Sequence, residues 1–316
     1  MSKLKYSTPI IFLILILFQP CNAQTSIRQN IKENYIDSIT SAKQIESLIT
    51  KINKRYSDFK VNETLIYPGD YSNIDCKKIS DSLNVKPWQK GDFDNNGLTD
   101  ILIIGNWQRH HIICILDKGD NNYEIKSITR RSFQECTFPI VMADTSIEYF
   151  YPSYYERGNS DKPKLQNKNL IYKFGDFIES NSNPSNHKIE KIEYSTTACY
   201  GTCPIFSLTI NPDRFTIWNA TSFNEIHKKE IKGEFKTTLE EKQFNLIIHL
   251  LNYIDFEKLN ESYAVGWTDD QSCILKITYD NGKSKIIRDY GLIGTFGLDR
   301  LYQLLFELRE NQKWTK

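Results

Sequence analysis

The sequence predicts an α+β protein of two domains, each an antiparallel sheet with packed helices. Three observations predict it. Short apolar or alternating runs follow one another with brief turns between them, which is how antiparallel strands are connected. Helical periodicity is confined to segments that stand apart from those runs. A polar stretch, "ESNSNPSNHK" (179–188), is rich in Ser and Asn, holds one Pro and lacks apolar periodicity. It places a boundary near residue 185, giving domains 24–185 and 186–316.

The chain begins with a targeting pattern. Lys3 and Lys5 precede "PIIFLILILF" (9–18), and "CNA" (21–23) follows with small residues suited to cleavage after Ala23. Residues 1–23 therefore read as a signal peptide. Spanning a bilayer as a helix takes about 20 apolar residues, more than this run supplies. Lipidation would have to use Cys21, but Pro20 stands where a small residue is wanted. No later stretch approaches transmembrane length, so an exported protein, periplasmic or extracellular, is expected. Loss of two lysines and no acids takes the net charge from +1 to −1. A near-neutral chain without a basic block gives no electrostatic case for nucleic acid. An aromatic content of 13% argues for packed cores rather than disorder.

Ser41 and Gln44 form a capping box, and Ile45, Leu48, Ile49, Ile52 and Tyr56 then recur at helical spacing. Next comes "GDFDNNGLTDILIIG" (91–105). Counting from Asp92 as position 1, oxygen-bearing side chains fall at positions 1, 3, 5 and 9: Asp92, Asp94, Asn96 and Asp100. Gly97 at position 6 suits a sharp turn, and Leu98 at position 7 offers a backbone carbonyl. Calcium takes six to eight oxygens, and ligands at alternate positions can wrap it. An EF-hand needs a bidentate acid at position 12, which here is Ile103. The pattern D-x-D-x-N-G-x-x-D entering an apolar strand instead resembles the calcium loops of FG-GAP and VCBS-type repeats. That resemblance implies calcium held by Asp92, Asp94, Asn96, the Leu98 carbonyl and Asp100. Asn96 stands where those families have Asp, which removes a charge and implies weak binding. An empty polar turn is the competing reading, since Asp, Asn and Gly suit turns in their own right.

"ILIIG" (101–105), "HHIICIL" (110–116) and "YEIKSI" (123–128) read as a meander. The aspartate loop occurs in one copy, and a propeller needs repetition, so no propeller is expected. Beyond the boundary, "IEKIEYS", "PIFSLTI", "FTIWN" and "EIKGEF" read as strands. Thr238 and Glu241 suggest a capping box for a helix carrying Phe244, Ile247, Ile248 and Leu251. "CILKITY" and "SKIIRDY" flank Asp280-Asn281-Gly282-Lys283, a hairpin signal. Leu298, Leu301, Leu304, Leu305 and Leu308 define a last helix.

Export changes the reading of cysteine. After signal removal six remain, and an oxidising compartment favours disulfides. Cys114 and Cys273 lie inside apolar strand patterns, as buried small hydrophobes do. That leaves Cys76 with Cys136, and Cys199 with Cys203, as the economical pairing. "ACYGTCPIFSLTINPD" (198–213) resembles a bacterial family of exported domains of unknown function marked by C-x-G-x-C-P. The likeness runs over residues ~187–316; Arg214 departs from it, standing where the family has Gly. No activity comes with that resemblance.

The remaining candidates are weaker. His110 and His111 are neighbours on a strand and face opposite ways, so one metal cannot easily use both. His249 lies off its helix's apolar stripe. Tyr263, Asp269, Asp270 and Asp289 form a possible cleft in which a carboxylate could act as general base. No catalytic motif appears, and no residue is assigned a catalytic role. The sequence thus favours a non-enzymatic exported protein that binds a protein or cell-envelope ligand, with calcium stiffening its first domain. A hydrolase using carboxylates of the second domain, or a thiol redox protein using Cys199 and Cys203, are the alternatives.

Overall fold

A computed structural model of the chain describes residues 34–67, 75–130, 136–152 and 165–316. The expected signal peptide, residues 1–23 with Cys21 included, lies outside the described residues. Helix α1 (Ala42–Ile52) starts at Ser41, whose side chain accepts from the Gln44 N–H, and the reciprocal Gln44 bond completes the capping box. Strand β1 (Lys60–Val61) and a short helix α2 (Cys76–Ser82) follow. A five-stranded antiparallel sheet is then built from β1, β2 (Trp88–Gly91), β3 (Asp100–Trp107), β4 (Arg109–Asp117) and β5 (Tyr123–Ser127). β1 and β2 pair with successive lengths of the same edge of β3.

The continuous apolar runs of β3 and β4 are explained by burial on both faces. Ile101, Ile103, Ile113 and Ile115 pack on Ile45, Leu48 and Ile49 of α1. The alternate residues Leu102, Ile104, Ile112, Cys114 and Leu116 face a second core shared with Phe138, Ile147, Leu170 and Phe177. Those last four come from a four-stranded meander, β6 (Phe138–Met142), β7 (Ser146–Pro152), β8 (Leu165–Lys173) and β9 (Asp176–Glu179). The Gln89 amide joins the two sheets by donating to the Pro139 carbonyl and accepting from the Val141 N–H.

The largest sheet has seven strands: β10 (Ile189–Thr196), β11 (Ile205–Ile210), β12 (Phe215–Ser222), β15 (Gly233–Thr238), β16 (Ser262–Ala264), β17 (Ser272–Tyr279) and β18 (Lys283–Tyr290). A small hairpin, β13 (Glu225–Ile226) and β14 (Lys229–Glu230), projects between β12 and β15. The order is β15-β12-β11-β10-β17-β18-β16, and only the β16–β18 pair is parallel. Helices α3 (Glu241–Tyr253) and α4 (Phe296–Asn311) cover one face. Tyr194, Leu208, Trp218, Leu275 and Ile287 alternate inward to meet Ile247, Leu251, Leu301, Leu305 and Leu308. The protein is α+β, as its pattern of runs and periodicities predicts.

One local expectation is corrected. Thr238 does not cap α3: it ends β15, paired with Phe215, and the helix starts at Glu241 with Glu240 making no side-chain cap bond. The buried Leu239, whose N–H donates to the Arg214 carbonyl, keeps the chain extended past the apparent box. The polar stretch after β9 is docked at the end of α3. Asn181 bonds the carbonyl and hydroxyl of Tyr253, and the Ser185 and His187 N–H groups donate to Asp255 and Asn252. Arg214 takes φ +71°, the left-handed conformation that glycine adopts freely.

Candidate metal centre

The loop between β2 and β3 is fixed at both ends before its acids are considered. Gly91 lies so close to the β6–β7 turn that a Cβ there would stand 2.5 Å from the Asp144 carbonyl oxygen, which also accepts the Asp92 N–H. Phe93, 3% exposed, drives the loop into the core and meets Phe177 edge-on at 5.7 Å. Asn95 and Gly97 take φ of +58° and +81°, which folds residues 92–97 back on themselves. The left-handed turn thus presents alternate side chains to one point.

Asp92, Asp94 and Asp100 converge there, each offering an oxygen within 4.8 Å of the others. Among the described residues this is the one group of three or more potential metal-ligating side chains so arranged. Asp92 accepts the N–H groups of Asn96 and Gly97, one on each carboxylate oxygen. Asp100, fully buried, accepts the Phe93 N–H on Oδ2 and the Asp117 N–H on Oδ1, each at 2.8 Å. A carboxylate oxygen has capacity beyond one such bond, so these contacts orient both groups without exhausting them.

Asp94 differs. Its side chain is only 7% exposed; Oδ2 receives the Lys118 ammonium at 2.7 Å, while Oδ1 is buried without any hydrogen-bond partner. A buried, unpartnered carboxylate oxygen is unfavourable unless something cationic or protic meets it. Carboxylates about 4 Å apart also repel by about 4 kcal/mol per pair at an effective dielectric constant of about 20. Burial pushes the Asp100 carboxyl up to about 7, and the neighbouring charges of Asp94 and Asp92 add to the rise. Lys118 offsets one of the three charges.

Asn96, the fourth expected side-chain ligand, is engaged in the loop itself. Its Oδ1 accepts the Leu98 N–H, and its Nδ2 donates to the Asp117 carbonyl and, at 3.3 Å, to Asp94. Leu98 is half-buried beside them. Sequence reasoning missed Asp117, the last residue of β4, and Lys118 just after it, which close the site. Register could have found them: Ile101 lies opposite Ile115, so the residues just past β4 return to the start of β3.

The other candidates are dispersed. Cys76 and Cys136 are joined across 60 residues, and Cys199 and Cys203 across four, with Cα atoms 5.5 Å and 5.7 Å apart. Cys114 and Cys273 are free and buried. His110 is buried against Thr137 on one face of β4, while His111 meets Trp107 edge-on on the other. His249 is exposed. Of the proposed cleft residues, Asp269 is exposed and gives its backbone carbonyl to the Tyr200 N–H. Asp270 accepts the Gln271 N–H and the Trp267 indole N–H. Asp289 is fully buried, anchoring the N–H groups of Ile293 and Gly294, and burial raises its carboxyl above the usual range. Tyr263 pairs with Asp289 in the parallel register, and its hydroxyl accepts the Asn260 N–H. Each of these acids thus has its own local partners.

Residues 190–309, from β10 to α4, match the model of a domain of unknown function, DUF6438. No curated protein and no solved structure matches the chain. Among the described residues no helix is long and apolar enough to cross a membrane.

Proposed function

We propose that the protein is an exported, non-enzymatic binding protein of two domains, whose first domain is stiffened by one calcium ion at Asp92, Asp94 and Asp100. The observation that carries this reading is the convergence of three carboxylates, one of which, Asp94, has a buried oxygen with no partner. An oxygen-only donor set suits a hard cation, and the backbone N–H groups hold Asp92 and Asp100 in place for it. The Leu98 carbonyl, Asn96 and water would complete the six to eight oxygens calcium takes. Magnesium wants tighter octahedral geometry and keeps its waters, so it fits less well.

The two disulfides support export to an oxidising compartment. A binding role is supported by Tyr200, 89% exposed at the tip of the ring closed by Cys199 and Cys203. Aromatic side chains held out of the fold are frequent anchors of protein contacts. A protein or cell-envelope component is the proposed ligand.

Thermal unfolding with and without calcium tests the metal reading. Calcium at 100 times its dissociation constant stabilises a folded state that alone binds it by about 2.7 kcal/mol. Extracellular modules bind at roughly 10⁻⁴ to 10⁻³ M, so tens of millimolar calcium should raise the melting temperature, and magnesium much less. Asp94→Ala should abolish the response, whereas Asn95→Ala, which removes no proposed ligand, should keep it. Identical wild-type melting in calcium and in chelator would refute the calcium reading.

A further inference from the structure

We propose that Lys118 is a tethered cation that holds the calcium cage closed, and that it must leave Asp94 for calcium to enter, so that it sets the affinity of the site. The inference rests on the calcium reading and adds a regulator to it. The Lys118 ammonium lies 2.7 Å from Asp94 Oδ2 and 3.5 Å from Glu124 Oε2, and sits 4.7 Å above the Tyr172 ring. Its position is fixed from behind, because the Lys118 N–H bonds the Asn122 carbonyl and the Gly119 N–H caps onto Asp117. The side chain is only 25% exposed, so solvent screens the Asp94 contact weakly.

An ammonium and a divalent ion cannot share Asp94 without strong repulsion. A calcium ion placed about 2.3–2.6 Å from Asp94 oxygen would stand only a few ångströms from the ammonium. The lysine has somewhere to go. Glu124 on β5 and the Tyr172 ring on β8 already flank it, and the Tyr172 hydroxyl donates to Glu124. Lys126 shares Glu124 at 2.7 Å, so the retreat is contested and the closed form is favoured without calcium. Calcium entry would therefore move positive charge from the loop to the seam between the five-stranded and four-stranded sheets. Where the closed form outnumbers the open one about ten to one, the apparent affinity falls about tenfold.

Calorimetric titration of calcium chloride into the chelator-stripped full chain tests this. Lys118→Met keeps an apolar stem over Tyr172 and removes the charge; it should bind calcium about tenfold more tightly than wild type. In chelator the same variant should melt below wild type, because Asp94 loses the ammonium that pairs with it. Glu124→Gln perturbs the opposite side: with its retreat weakened, Lys118 stays on Asp94 and calcium should bind several-fold more weakly. If wild type binds calcium and both variants match its affinity within twofold, the lysine proposal is overturned while the calcium reading stands. If neither wild type nor Lys118→Met binds calcium, the calcium reading fails and this proposal falls with it.

Discussion

Glu179 is one contact through which the four-stranded meander grips the helical layer of the last sheet, and its removal makes a quantitative test. Its Oε1 accepts the Phe296 N–H and its Oε2 the Gly297 N–H, each at 2.9 Å, at the first turn of α4. Lys168 holds Oε1 from the other side at 2.9 Å. Hydrogen bonds to a charged group contribute about 1.5–3 kcal/mol each, and an anion at a helix N-terminus adds about 0.3–1 kcal/mol. These contributions are not additive, so Glu179→Ala should cost about 3 kcal/mol. Glu179→Gln should cost about 2 kcal/mol, because only one of its two termini accepts. Although burial opposes ionisation, the Lys168 ammonium and the two helix N–H groups hold this carboxyl below the usual glutamate value. A depressed folded value means the contribution is present above the ordinary value near 4.5 and is lost as pH falls through the depressed one. Urea unfolding followed by tryptophan fluorescence at pH 7 and pH 3 measures both effects. A Glu179→Ala penalty below 0.5 kcal/mol at pH 7, or one equally large at pH 3, would refute the reasoning.

Two further perturbations follow from the same contacts. Gly297 sits inside α4, where Ala is intrinsically better by about 1 kcal/mol. A Cβ there would stand 2.4 Å from Ile254 Cγ2, so Gly297→Ala should instead destabilise by about 1–3 kcal/mol in the same urea assay. His187 bonds Asp280 through Nδ1 and places Nε2 3.4 Å from Glu257; the Asp280 bond foremost raises its imidazole above the ordinary value. A raised value means its contribution is full below about pH 6.5 and lost as pH rises through the folded value. The stability gap between wild type and His187→Gln should therefore be wide at pH 5.5 and narrow by pH 9, as read from melting curves at each pH.

What the sequence made legible was local. The Ser41–Gln44 box, the Asp280–Gly282 hairpin and the leucines of α4 each carry their signal within a few residues, and each forms as expected. The β6–β9 sheet was not anticipated. Its β8 reads "LQNKNLIYK", and the first half of that strand is largely exposed, so no apolar alternation marks it. The polar stretch after β9 reads as a linker from its composition, which does not reveal that its polar groups also bond the end of α3. Thr238 failed as a cap because strand pairing with Phe215 claimed it first. In the candidate site, the Asp spacing announced the converging carboxylates. Lys118 was hidden, since its approach depends on the β3–β4 register and on Tyr172 from a separate sheet.

The stiffening of the first domain depends on an ion at the aspartate loop. Anomalous diffraction from crystals of the full chain soaked in tens of millimolar calcium would locate it directly. A single peak is expected, with oxygens of Asp92, Asp94 and Asp100 at about 2.3–2.6 Å and the Lys118 ammonium withdrawn from Asp94 towards Glu124. No peak at the loop, with Lys118 still bonded to Asp94, would contradict it.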